Sequence, residues 1–449
     1  MYTKPLALAI TVGVMASQAN AAGFLEDSKL SLSMRNNQIA TDNRESQDRV
    51  GNTAYSGQNR EWGQGFALRY SSGYTEGTVG FGLDALGLLG IRLDDGGRAG
   101  KAGETRTPGN MFPLESDGSA VSNYSRVAFT GKARVSKTEL RVGTVQGNLP
   151  VFQTSSGHLF PQTYEGVQFT SKDISNLSLA GGYIEHAVGR SSTNATGMAV
   201  TGGTRQSNKF VYGGGDWAIT KNLTAQYYYG QLEDYYTQNF AGLKHVWPID
   251  DKQSLVTDLR YFRTDSDGAN STAAGRAKGY IAGGGYSSTG GEIDNRAWSA
   301  SFTYSYLSHS LMVGHQRLSG GSGFFQLSQG SLPNENAHGA SYYLQTDRQL
   351  SSFLRADERT SFAQYNYNFA SLGYPGLRAG VIYLSADNIR TATGYRQKEW
   401  ERDISVDYTV QSGALKGINF AVRQANLRTQ ASNDLDQVRF IVDYKVDIL

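Results

Sequence analysis

The sequence predicts an all-β fold, a transmembrane antiparallel β-barrel of about eighteen strands. Three observations predict it. Apolar residues alternate with small, polar or charged ones at period two along nearly the whole chain. The alternating segments are joined by connections that are long and short in turn. The N-terminus has the pattern of a cleaved export signal.

Alternation comes first because it sets the architecture. Leu30, Leu32 and Met34 alternate with Lys29, Ser31, Ser33 and Arg35, and Trp62, Phe66, Leu68 and Tyr70 alternate with Gly63, Gly65, Ala67 and Arg69. The pattern persists to Val438, Phe440, Val442, Tyr444 and Val446. Strand centres fall near 33, 66, 82, 130, 142, 168, 182, 214, 227, 241, 259, 301, 314, 364, 381, 406, 422 and 441. An even number of strands puts both termini on one side.

Long polar segments (37–59, 94–123, 188–208, 264–295, 319–357 and 387–399) alternate with tight turns at 136–137, 173–176, 220–222 and 371–376. In an outer-membrane barrel the long segments lie outside the cell and the turns in the periplasm. A soluble β-sandwich or propeller also alternates, but its outward face is mostly charged. Here the second face is rich in Gly, Ser and Thr. The apolar face carries Tyr70, Tyr229, Tyr306, Tyr367, Tyr383, Tyr408 and Tyr444 at segment ends, where aromatic girdles sit. No repeat of 20–50 residues points to a propeller.

At the N-terminus, Lys4, the apolar run Leu6 to Met15, and Ala19-Asn20-Ala21 fit a signal peptide over residues 1–21, leaving a barrel domain at 22–449. The run is too short for a transmembrane helix. The 449 residues include no cysteine, which excludes disulfides, a thiolate metal site and an acylated N-terminal Cys. A mean hydropathy of −0.44 suits a barrel whose lipid-facing and lumen-facing residues average out. A formal charge of +2 gives no bulk attraction for nucleic acid.

Strand parity turns a set of cations inward: Arg35, Arg69, Arg92, Arg126, Lys132, Arg134, Arg141, Arg260, Arg378, Arg423 and Arg439. An arginine facing lipid would cost about 2–4 kcal/mol at the bilayer midplane, which enforces that orientation. Such a track replaces the hydration of an anion with guanidinium hydrogen bonds. The plainer reading is that the cations pair with inward acids (Asp84, Asp216, Asp258, Asp403, Asp407 and Asp443) and only solvate the wall.

Several motifs then carry a family resemblance. Gly23 to Ser28, Arg60-Glu61-Trp62-Gly63-Gln64-Gly65-Phe66 and the run from Ser72 to Asp84 resemble the first strands of OprD-type (Occ) channels. So do Arg134 to Thr138, Gly157 to Thr163, Val410-Gln411-Ser412-Gly413 and Ile441 to Tyr444, in order along nearly the whole mature chain. The resemblance implies an 18-stranded bacterial outer-membrane barrel, narrowed by inward-folded loops, that passes small carboxylate solutes by passive diffusion without a cofactor or metal. Its implied surroundings are outer-membrane lipid and lipopolysaccharide, with the barrel assembly machinery acting on the alternating C-terminal strand. Both monomer and trimer fit.

The family places its constriction loop at 145–163, a segment without an acid. Pro150, Phe152, Phe160 and Pro161 are expected to pack it on the wall, leaving Asn148, Gln153, Thr154, Ser155, Ser156 and His158 at the opening. Departures from the family pattern fall at Gln364, Ile382 and Ala421, where cations are expected, and predict a thinner basic track on that wall.

Other functions fit less well. The six histidines give no Ser-His-Asp arrangement for an enzyme. The chain is too short for a plug domain and 22 strands. An oligosaccharide porin, the main alternative, needs an aromatic stripe in the lumen, and Tyr228, Phe262 and Phe362 are scattered.

Overall fold

A computed structural model of the chain describes residues 23–44, 49–50, 53–54, 57–94, 96–98, 108, 111–329, 332 and 340–449. The predicted signal segment 1–21 lies outside the described residues. The wall is built from β1 (Lys29–Asn43), β2 (Gln58–Ser71), β3 (Gly80–Asp94), β4 (Asn123–Val135), β5 (Thr138–Val145) and β6 (Thr163–Ser171). It continues through β7 (Leu177–Val188), β8 (Phe210–Ala218), β9 (Leu223–Leu232), β10 (Tyr236–Asp250), β11 (Gln253–Ser266) and β12 (Asp294–Tyr306). The last third is β13 (His309–Gly320), β14 (Arg359–Asn368), β15 (Leu377–Arg390), β16 (Arg396–Thr409), β17 (Asn419–Thr429) and β18 (Leu435–Asp447). Every predicted centre lies inside one of these strands.

Each strand pairs antiparallel with its neighbour, and β1 closes on β18 from Ser31 opposite Asp447 to Asn43 opposite Leu435. Closure leaves no edge donors facing lipid, which a membrane sheet requires. Among the described residues no helix is long and apolar enough to cross a membrane. The long connections gather at one end, as alternation in length predicts. Two boundaries differ: the loop predicted at 37–59 begins only after Asn43, where β1 ends, and 387–399 is not a long loop, because β15 runs to Arg390 and β16 starts at Arg396. A register shift between Ala386 and Ile389 disrupts the period there, so polar Asp387 and Asn388 read as loop although they sit in a bulged strand.

Outward positions are apolar and exposed, as at Phe81, Leu83, Leu89 and Ile91 on β3. Two aromatic rows bound the band. Tyr70, Tyr306 and Tyr408 stand towards the short-turn end, and Trp62, Trp298 and Trp400, on the same three strands, towards the long-loop end. The two rows lie roughly 26 Å apart along a strand, or roughly 20 Å along the normal at a 40° tilt, close to the apolar height of a barrel.

The core lies inside the barrel. A ring this wide leaves wall side chains unable to meet across the lumen, so the connections fold in and supply the missing partners. Phe152 and Val151 from 146–162, Met198, Ala199 and Val200 from 189–209, and Phe324, Phe325 and Leu344 from 321–358 form one buried cluster with Phe210, Tyr212 and Phe240 of the wall. Met111, Phe112 and Phe160 form a second with Ile39, Leu88 and Tyr124.

Candidate functional site

The loop 146–162 is a small hairpin before it is a constriction. Asn148 pairs with Gln153 and Leu149 with Phe152, while the Gly147 amide donates to Thr154 Oγ1 at 2.8 Å. Phe152 is fully buried, with ring centroids 4.7 Å from Tyr164, 4.9 Å from Tyr212 and 5.8 Å from Phe210. Phe160 packs edge-on against Tyr124 at 5.6 Å. Leu159 lies over Gly63, where a Cβ would come within 2.9 Å of it, so β2 offers a backbone groove in which the loop rests.

Arginines from four elements hold the far half of this loop. Arg35 of β1 donates to the His158 carbonyl at 3.1 Å, Arg126 of β4 to Pro161 O at 3.4 Å, and Arg439 of β18 to Gly157 O at 3.4 Å. Arg190, from the next long connection, donates to Ser155 Oγ at 3.1 Å. Burial, and then the charge of Arg439, pull the Arg190 guanidinium down to about 10, so it remains a cation at neutral pH. Among the described residues, Arg35 alone of these four bonds a carboxylate, with Nε and Nη2 on Asp443 at 2.7 and 2.9 Å.

The rest of the track divides in two. Lys132 is buried on Asp84 at 2.7 Å, Arg141 bonds Glu139 and reaches Asp84 at 3.7 Å, Arg260 bonds Asp258 at 2.8 Å, and Arg423 bonds Asp407 at 2.6 Å. These are the wall pairs that the plainer reading expects. Arg134 stacks on the Tyr74 ring at 4.1 Å. Arg69 and Arg378 have no hydrogen bond or ion pair among the described residues.

Below the loop is a cavity of about 960 Å³ lined by Arg35, Arg69, Asn148, Gln153, Thr154, Ser156, Phe160, Asp347 and Asp443. Two predicted opening residues are elsewhere. Ser155 is 2% exposed beneath Arg190, and His158 is not among the residues lining the cavity and gives its carbonyl to Arg35. The reason is common to both: the arginines pull that stretch of loop against the wall.

Residues missed by strand parity come from a second inward loop. Tyr342 and Asp347 of 321–358 line the same cavity, and Arg348 lies nearby, donating to Gln345 O. This loop is tied to the first by Gln326 Nε2 on Pro150 O at 2.6 Å. It is tied to β16 by the Leu350 and Ser351 amides on Glu401 at 2.8 and 2.7 Å. Ile382, the departure from the family pattern on β15, packs with Phe353, Phe362 and Leu384. At this position the wall is covered by the loop residue Phe353, and an apolar contact stands where a cation was expected.

At the base of the second loop, Glu358 is fully buried, and burial followed by the Glu399 charge raises its carboxyl well above the usual carboxylate range. Arg355, which bonds Glu399 at 2.5 Å, is the nearby cation. A carboxyl raised in the docked loop stabilises docking while it is protonated and stops doing so as pH rises through its shifted value. Loop-borne current noise should therefore grow as pH is raised upward from the ordinary carboxylate range, and Glu358→Gln should abolish that growth. Identical pH profiles of the two proteins in single-channel recordings would contradict this.

Comparison with known proteins agrees with the architecture. A family model described as outer membrane porin, OprD family, matches residues 22–448. Porin D of Pseudomonas aeruginosa is 33% identical, with 100% of this chain and 99% of the relative covered. The porin-like protein GalP of Pseudomonas putida is 32% identical over 96% of this chain and 95% of its own length. Among solved structures, Pseudomonas aeruginosa OccK8 (OprE) superposes with a TM-score of 0.85 at 46% identity, covering 95% of this chain and 100% of that one. OpdK of the same organism, solved with vanillate, gives 0.80 at 33% identity and the same coverage. The chain belongs to the OprD family of outer-membrane porins, and is a substrate-specific channel of the bacterial outer membrane, not an enzyme.

Proposed function

We propose that this channel passes small solutes bearing a carboxylate, such as aromatic acids or amino acids, by passive diffusion along a basic path. The observation that carries the reading is the gathering of Arg35, Arg126, Arg190 and Arg439 on residues 155–161, with unpaired Arg69 in the cavity below. A carboxylate leaving bulk water near the loop exchanges hydration for guanidinium donors and passes to Arg69. Asp347 and Asp443 on the same cavity give an ammonium group a place to lie, which admits zwitterions. Vanillate in the OpdK structure is an aromatic acid anion and fits this class. The oligosaccharide alternative loses ground because Tyr228, Phe262 and Phe362 are packed away at 2%, 1% and 4% exposure, leaving no stripe for sugar stacking there. Removal of residues 1–21 on export belongs to the same proposal.

A planar-bilayer recording in a salt gradient tests it. Anion preference, with benzoate or amino acids reducing the current, is the expected result. Cation preference with block by oligosaccharide alone would overturn the carboxylate reading.

A further inference from the structure

Among the described residues, most outward-facing arginines near the Trp row have a side-chain partner, and Arg60 beside Trp62 and Arg317 do not. Arg263 and Arg296 stand directly opposite each other on β11 and β12, and both are neutralised, Arg263 by Asp265 at 2.8 Å and Arg296 by Asp265 at 3.0 Å and Asp294 at 2.8 Å. Arg428 reaches Asp436 at 2.9 Å, and Arg402 donates to Asn426. Arg317 of β13 breaks the pattern. It is exposed, it stands directly opposite Arg359 of β14, and it has no hydrogen bond or ion pair among the described residues. Arg359 spends its charge on Asp387 at 2.8 Å and remains 47% exposed on its side chain.

Like charges directly opposite across a strand pair destabilise it, and a cation facing lipid needs an anion or water. The site is at the long-loop end, the outer side of an outer-membrane barrel, three residues before the end of β13 and at the first residue of β14. Trp298, 42% exposed in the outer aromatic row, is directly opposite Arg317 on its other side. Next below, His315 packs against Trp298 with ring centroids 5.6 Å apart and bonds Ser361 at 2.9 Å. The pair of guanidiniums therefore sits where the headgroups of the outer leaflet begin, beside an aromatic ring suited to the interface.

We propose that Arg317 and Arg359 form a surface site for a phosphate monoester of the outer-leaflet glycolipid, the sugar lying against Trp298. The proposal rests on the outer-membrane placement of the barrel and is independent of the solute carried. A phosphate between two guanidiniums turns their repulsion into two charge-assisted contacts, supplying the anion that the protein provides for its other opposed pair.

Purified protein, stripped of lipid in detergent, is titrated with bisphosphorylated lipid A, with the same lipid after enzymatic dephosphorylation, and with inorganic phosphate, and bound lipid is counted by native mass spectrometry. The expected result is at least tenfold tighter binding of the phosphorylated lipid, lost in Arg317→Gln, with conductance unchanged as evidence of a folded channel. Arg317 is exposed and has no hydrogen bond or ion pair among the described residues, so this variant stays informative, and Arg359→Gln is the second arm. Equal binding of both lipids, full displacement by an equal concentration of inorganic phosphate, or undiminished binding by both variants would each overturn it.

Discussion

Replacing Phe152 with alanine is expected to release the constriction hairpin and raise single-channel conductance several-fold while leaving the barrel closed. The side chain is fully buried among three rings, and truncating a phenylalanine in such a setting costs about 3–5 kcal/mol. The competing restraint is the arginine clamp. A charged hydrogen bond contributes about 1.5–3 kcal/mol at good geometry, but two of the four are stretched to 3.4 Å, and all four attach to 155–161, past the hairpin. The aromatic anchor therefore decides the position of 148–153, and the clamp decides that of 155–161. Since the wall strands pair without Phe152, the loss falls on the loop. Single-channel recordings should give higher conductance, faster passage of bulky solutes and weaker discrimination among them. Conductance equal to that of the parent protein would mean that the polar restraints, the arginines and the Gln326 bond to Pro150 O, hold the hairpin without the ring.

How far the molecule was legible in sequence follows from range. The wall was legible because period-two alternation is local; of its two boundary errors, the one at 387–399 lies where a bulge breaks that period, and the one at 37–43 is a mostly polar run at the end of β1. Inward cations were legible by parity for the same reason. Which inward acid each one meets was not. Arg35 meets Asp443 only because β1 closes on β18, and the two stand 408 positions apart in the chain. The second inward loop was implied by resemblance but not located. Its local signals are Phe324-Phe325 and Phe353 in a long polar segment, as Met198 to Val200 are for 189–209, and all of these lie buried in the lumen. An apolar triplet inside an otherwise polar outer loop is the feature to look for. Ile382 carries the same lesson: its missing cation reads as a thinned track until Phe353 is seen to cover it.

Charge removal should separate the two kinds of cation. Arg190→Gln with Arg439→Gln is expected to shift the reversal potential strongly towards cations, whereas Lys132→Met with Asp84→Asn is expected to leave it unchanged. Lys132 and Asp84 are 2.7 Å apart, and Lys132 is 6% exposed, so a passing solute sees their dipole and little net charge. Arg190 and Arg439 bond neutral acceptors at Ser155, Gly157 and Gln349, and each presents a full positive charge. A unit charge at 4 Å in water attracts an anion by about 1 kcal/mol, roughly a fivefold gain in local occupancy, so losing two costs roughly thirty-fold at the limit. Screening sets the conditions: the Debye length is about 10 Å at 0.1 M salt and about 3 Å at 1 M. The difference between the double variants should therefore be large in dilute salt and small in concentrated salt. An equal shift from both would mean that selectivity follows total lumen charge and not the unpaired arginines. A shift in neither would move the selecting charge to Arg69, the unpaired cation of the cavity below.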